Sequence, residues 1–174
     1  KSETPANMGD AVFSVTNATL FVPINKKSSY NTDSWNKYFS YVTEGEFVDD
    51  YTDNGYTFYC MKKVVENVAT NYALLIKYSN SSVDVDIPAS VKIGNVDYNV
   101  TIIGKPAFSN NSKITSVTIP DYINSIDDNA FIGCTNLSVI ECKMETPCKI
   151  TSTVFPDYSA FLYVPTGKTK SYTT

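Results

Sequence analysis

The residues of this chain that could do chemistry are few. Two adjacent carboxylate pairs stand at Asp49-Asp50 and Asp127-Asp128, and four cysteines stand at 60, 134, 142 and 148. Histidine is absent. Without an imidazole there is no Ser-His-Asp triad, no Cys-His pair and no His-ligated metal. The cysteines form no CxxC pair, so their spacing does not suggest zinc. They read as small buried hydrophobes, with a single Cys142–Cys148 disulfide as the alternative. Paired carboxylates can serve general acid–base catalysis, but Asp127-Asp128 fall in a turn, where a solvated role is expected. The stretch DDYTDNG puts Asp50 and Gly55 at the first and sixth places of a calcium loop. Met61 then stands where the bidentate Glu must be, so a plain turn is expected. No Gly-rich phosphate loop is present. The 13 Tyr and 9 Phe could stack on sugars, but most fall at core-type positions. The expectation is no enzyme, no cofactor and no metal.

Composition narrows the partners. A chain of 174 residues, 43% hydrophobic, can bury the core of one domain or two small ones. Its net charge of -4 carries no basic patch, so nucleic acid is not an expected partner. The basic pairs Lys26-Lys27 and Lys62-Lys63 read as solvated faces. No run approaches the roughly 18 apolar residues of a membrane helix, so no membrane insertion is expected within this stretch. KSETPANMGD is polar and opens no signal peptide. The chain starts without Met, as a cut or processed product does, so the compartment of its parent stays open. A monomer is expected.

The elements that must position these residues show themselves through repetition. Sliding the sequence by 142 positions sets Lys1 on Lys143 and Thr32 on Thr174. Identities then fall at Lys1, Glu3, Thr4, Pro5, Val12, Phe13, Ala18, Leu20, Val22, Pro23, Lys26, Ser29, Tyr30 and Thr32. Those 14 matches compare with roughly two by chance at background frequencies. Both copies place alternating apolar residues before a proline, TLFVP and FLYVP, which suits a strand ended by Pro. The chain reads as one period of a longer array plus the start of the next.

A shorter period lies inside the long one. IIGKPAFSNNSKITSVTIP, from Ile102, and SIDDNAFIGCTNLSVIECK, from Ser125, align with a shift of 23. Ile103 meets Ile126, Phe108 meets Phe131, Val117 meets Ile140 and Ile119 meets Cys142. A looser third copy gives Ile150 and Phe155 the roles of Ile126 and Phe131. A period of this length is the signature of a leucine-rich solenoid, whose coils stack to share one core. These units resemble the BspA-type leucine-rich repeats, with the pattern IGxxAFxxCxxLxxVxIP. VDVDIPASVKIGNVDYNVTIIGKPAF is similar to the opening of such a block, and ATLFVPINKKSSYNTDSWNKYF to its close. The resemblance covers most of the chain, more loosely from 46 to 82. It departs at Asn111, where the family has Cys, and at Cys142-Lys143 in place of Ile-Pro.

The predicted fold class is a leucine-rich-repeat-type solenoid, strand-rich with short helical caps, plus a β-hairpin-rich connector. Three parts are expected: 1-45, a terminal coil and helical cap of one repeat block; 46-100, the connector; and 101-174, the next block. Strand alternation points Val117, Ile119, Ile140 and Cys142 into the core, and Ser116, Thr118, Val139 and Glu141 onto an exposed face. Phe108 and Phe131 should form an internal ladder. Asp33 suits an N-cap for a helix over 33–41, which would pack Trp35 near Leu20 and Val22 as a cap. The second copy stops at SYTT, before an equivalent Trp-bearing segment, so its block should lack this cap. In the connector, GYTFYCMKKVV and NYALLIKYS flank the polar ENVAT as strands, VDVDIP is a third strand, and Gly94-Asn95 turns a hairpin.

Function follows from the resemblance alone. It implies a bacterial cell-surface protein, some of which are adhesive. The expected role is a non-catalytic recognition module for a host or cell-surface protein or a glycan. The candidate ligand face is Ser116, Thr118, Val139 and Glu141. The alternative is a spacer or scaffold whose binding chemistry lies elsewhere in a larger surface protein.

Overall fold

The computed structural model describes residues 18–22, 26–30, 35, 39–105, 107–155 and 159–173. It divides into two compact units, residues 1–49 with 61–71, and residues 50–60 with 72–174.

In the first unit, strand β1 (Ala18–Val22) pairs in parallel with β2 (Phe39–Glu44). The short helix α1 (Lys27–Tyr30) follows β1. Val22 and Tyr30 are buried, and Leu20 and Trp35 pack against them. The Trp35 ring meets Tyr30 edge-on at 5.2 Å and stacks on Phe39 at 5.7 Å. Trp35 therefore lies in one cluster with Leu20 and Val22, as expected, and its ring contacts are with Tyr30 and Phe39. The helix expected to run to 41 does not: FSYVTE is a strand from Phe39 onward. Its aromatic and β-branched residues favour a pleated strand, and β1 supplies the hydrogen-bonding partner that local helical spacing ignores. Residues 33, 34 and 36–38 of that expected helix lie outside the described residues.

Three strands follow: β3 (Glu46–Asp53), β4 (Tyr56–Val65) and β5 (Val68–Tyr78). Two-residue turns join them, and both residues of each turn have positive φ: Asn54 (48°) with Gly55 (81°), and Glu66 (50°) with Asn67 (64°). That is the hairpin turn whose twist matches its strands. The sequence reading of ENVAT as a connector is thus too long. The turn consumes only Glu66-Asn67, and Val68, Ala69 and Thr70 belong to β5.

In the second unit, β6 (Asp84–Asp86), β9 (Ser116–Ile119), β11 (Val139–Cys142) and β12 (Phe161–Tyr163) form a parallel sheet in the order β12-β11-β9-β6. The partners of β9 on β11 are Val139 for Ser116, Ile140 for Val117, Glu141 for Thr118 and Cys142 for Ile119. Every one of these pairs is separated by the short repeat period, so the sequence period is the hydrogen-bonding register. A second sheet contains the parallel neighbours β5, β8 (Val96–Ile103) and β10 (Ser125–Ile126), with β7 (Ser90–Ile93) folded onto β8 around Gly94-Asn95.

The turns between the sheets keep the same register. Phe108 N donates to Ala130 O at 3.0 Å, Asn110 N to Ile132 O at 2.7 Å, and Phe131 N to Val154 O at 3.1 Å. Phe108 and Phe131 are buried and stack at 4.8 Å with 6° between their planes. Phe155 continues the ladder at 5.0 Å. On the other side Tyr78 stands 5.4 Å from Phe108, and Tyr56 4.8 Å from Tyr78. Five rings in a row thus line the core, two more than the sequence pattern identifies. Ile150 does not take the expected role of Ile126: it is 48% exposed, against 6% for Ile126.

All four cysteines are free thiols, so the alternative Cys142–Cys148 disulfide is not formed. Cys60, Cys134 and Cys142 are buried, and Cys148 is half-buried. The Cys134 thiol donates to Phe108 O at 3.1 Å, and burial pushes its pKa up to about 11. Its counterpart in the preceding coil, Asn111, is half-buried.

Candidate functional site: an exposed strand face

The carboxylate pairs can be settled from geometry. Asp49 and Asp50 are consecutive and exposed on β3, so their side chains leave opposite faces of the strand. Two such groups cannot share a proton across a substrate. Asp128 accepts hydrogen bonds from Thr151 and, at 2.9 Å, from Thr153. These donors, foremost Thr151, hold its carboxyl below the usual aspartate range. Asp128 is therefore a tie between successive coils. The depressed pKa makes its stabilisation present above the ordinary value of 3.8 and lost as the pH falls through the folded pKa. Asp128→Asn should cost no more than about 1 kcal/mol at neutral pH, because the group is exposed. That cost should shrink as the pH falls from 3.8 through the lowered folded pKa, where both states come to bind the proton. Urea midpoints of the two proteins, followed from neutral pH down through the acid range, measure it, and a difference that stays constant would contradict the role.

The four residues expected to form a ligand face lie together. Ser116 and Thr118 on β9 stand opposite Val139 and Glu141 on β11. Alternation turns Val117, Ile119, Ile140 and Cys142 inward, and these four are buried. The register extends the face on both sides. Asp84 and Asp86 of β6 stand opposite Ser116 and Thr118. Phe161 and Tyr163 of β12 stand opposite Val139 and Glu141. Two rows result: Asp84-Ser116-Val139-Phe161 and Asp86-Thr118-Glu141-Tyr163.

The rows grade from acidic to aromatic. Asp84 Oδ1 accepts from Ser116 Oγ at 2.7 Å, which orders that end. At the other end, Phe161 is 72% and Tyr163 60% exposed. Sequence reasoning missed these four flanking residues and placed most aromatics in the core. The signal was present: VDVDIP and AFLYVP carry the same alternation before proline as TSVTIP. The face holds carboxylates, hydroxyls and two rings on a shallow surface. It can accept hydrogen bonds and stack flat groups. Among the described residues no group of three or more His, Cys, Asp or Glu could hold a metal ion. No helix among them is long and apolar enough to cross a membrane.

Comparison with known proteins accounts for the stacked, strand-rich architecture at the level of family. Residues 78–166 match the model described as the BspA type leucine rich repeat region, in six copies. This spans just over half of the chain, and the chain belongs to the BspA-type leucine-rich repeat family. Among solved structures, it is similar to a leucine rich cell surface protein from Faecalibacterium prausnitzii, at 34% identity over 56% of this chain and 24% of that one, with a TM-score of 0.45. It is also similar to a leucine-rich repeat protein from Bacteroides capillosus, at 26% identity over 67% of this chain and 99% of that one, with a TM-score of 0.46. The chain thus spans about a quarter of the Faecalibacterium protein. No curated protein sequence matches it.

Proposed function

We propose that this chain is a non-catalytic recognition module of a bacterial cell-surface protein, built as a leucine-rich-repeat solenoid, that binds a host or cell-surface protein or a glycan through its exposed strand face. The observation that carries the reading is the placement of Phe161 and Tyr163 beside Val139 and Glu141, with their rings in solvent rather than in the core. Exposed rings rimmed by polar groups are the usual anchors of recognition surfaces. Membership in the BspA-type family supports a surface location. The long-range repetition of the sequence supports a longer array, in which many coils add weak contacts into avidity.

The test is binding to an immobilised panel of matrix proteins and glycans, with the chain displayed once and as a multimer. The multimer should bind a subset of the panel more tightly than the single chain does. Phe161→Ala with Tyr163→Ala should weaken that binding about tenfold or more. Thr118→Arg with Glu141→Arg should abolish it by blocking the middle of both rows. Binding that survives both pairs of substitutions would contradict the reading and place the site elsewhere. A multimer that binds nothing on the panel would favour a spacer role.

A further inference from the structure

The exposed face of the four-stranded sheet has a sign. Its strands, DVD, SVTI, VIEC and FLY, carry the carboxylates of Asp84, Asp86 and Glu141 and no lysine or arginine. Each of these acids is exposed. Among the described residues none of them is in an ion pair. The lysine next to these strands in sequence, Lys143, follows the end of β11.

The groups between the carboxylates do not offset them. Ser116 Oγ donates its proton to Asp84 Oδ1 at 2.7 Å, so what Ser116 still offers is an acceptor. Of the polar side chains in the two rows, only Thr118 and Tyr163 can still donate. Phe161 and Tyr163 present exposed rings, whose faces attract cations. The face is thus made mostly of acceptors and ring faces, and it complements a donor-rich, positively charged ligand.

We infer that this ligand is a cationic polypeptide segment, extended and carrying Lys or Arg at alternate positions. The inference rests on the recognition role proposed for the face and narrows it to one partner chemistry. Asp84 and Asp86 stand two residues apart on β6, about 6.7 Å along the strand, which is also the step between alternate side chains of an extended chain. Alternate cations of one segment can therefore meet both acids together. Glu141 lies in the row of Asp86 two strands away, about 10 Å across, within reach of a further long basic side chain of the same segment. An acidic glycan meets like-charge repulsion here, and a neutral glycan makes no use of the carboxylates. Because the charges are exposed, they act mainly on the rate of encounter and are screened by salt.

A labelled dodecapeptide of alternating Lys and Thr, titrated with the full chain and followed by fluorescence anisotropy, tests this. Saturable binding is expected, weakening about tenfold or more between about 20 and about 200 mM NaCl. A peptide of alternating Glu and Thr should not bind. Asp84→Asn with Asp86→Asn and Glu141→Gln should weaken binding of the lysine peptide about tenfold or more. These positions are exposed, so the variant should fold, which circular dichroism checks. The control is Asp53→Asn with Glu66→Gln and Asp97→Asn, which makes the same change of net charge at exposed acids off these four strands. It should weaken binding less than about threefold. Absence of saturable binding, or equal losses in the two triple variants, would overturn the inference. Failure of the recognition role itself reads differently. A neutral or acidic panel ligand that is lost on Phe161→Ala with Tyr163→Ala, while the lysine peptide does not bind, keeps the face as a binding surface and overturns only its cationic partner.

Discussion

Phe131→Ala should destabilise the second unit by about 3–5 kcal/mol. The ring is buried and lies between Phe108 at 4.8 Å and Phe155 at 5.0 Å. Truncation removes the transfer free energy of the ring and leaves a cavity that two flanking rings cannot fill without breaking their own register. It also removes two stacked pairs, each contributing about 0.5–1.5 kcal/mol beyond burial. The turn that carries Phe131 is hydrogen-bonded to the coils on both sides, so little collapse is available. Phe131→Leu separates the terms: it keeps apolar volume and loses the stacking, and should cost less than about half as much. Urea unfolding followed by circular dichroism, with amide exchange over 107–155, measures both. A cost below about 1 kcal/mol for the alanine variant would mean that the ladder does not organise this core.

Gly133→Ala should cost roughly 2–4 kcal/mol. Gly133 has a φ of 78°, in the left-handed region where an added Cβ is strained. That Cβ would also sit 2.7 Å from Asn110 Oδ1 and 2.9 Å from Asn110 Cα. Asn110 is the equivalent residue of the preceding coil and is itself left-handed at 60°. The clash therefore falls on the backbone of a stacked neighbour, which cannot swing aside as a flexible side chain can. Gly94 is the control: its φ is 58°, but an added Cβ would meet nothing within 4 Å. Gly94→Ala should cost only the conformational part, about 1 kcal/mol. Equal losses at the two glycines in thermal or urea denaturation would show that the coils are not packed as closely as described.

The coils were legible in the sequence because their period is also their register. Val117 meets Ile140, and Phe108 meets Phe131, at the same shift in letters and in space. Legibility failed where that period breaks. Val85 on β6 is the partner of Val117, but their separation along the chain exceeds the period, because the β7–β8 hairpin is inserted between them. The acidic end of the exposed face was therefore not aligned with its middle. Tyr78 joins the ring ladder next to Phe108 and was hidden by the same insertion. The helix expected over 33–41 failed differently. An N-cap aspartate and aromatics four apart are local signals, whereas the strand at Phe39 is fixed by a non-local partner, β1.

If the proposed function holds, recognition belongs to one face of the four-stranded sheet. Amide-resolved NMR or hydrogen-exchange footprinting of the chain, bound to a ligand selected from the panel, tests it most directly. Perturbation is expected along 84–86, 116–119, 139–142 and 161–163, strongest at Phe161 and Tyr163. A footprint confined to the hairpins of 46–78, with those four strands silent, would contradict it.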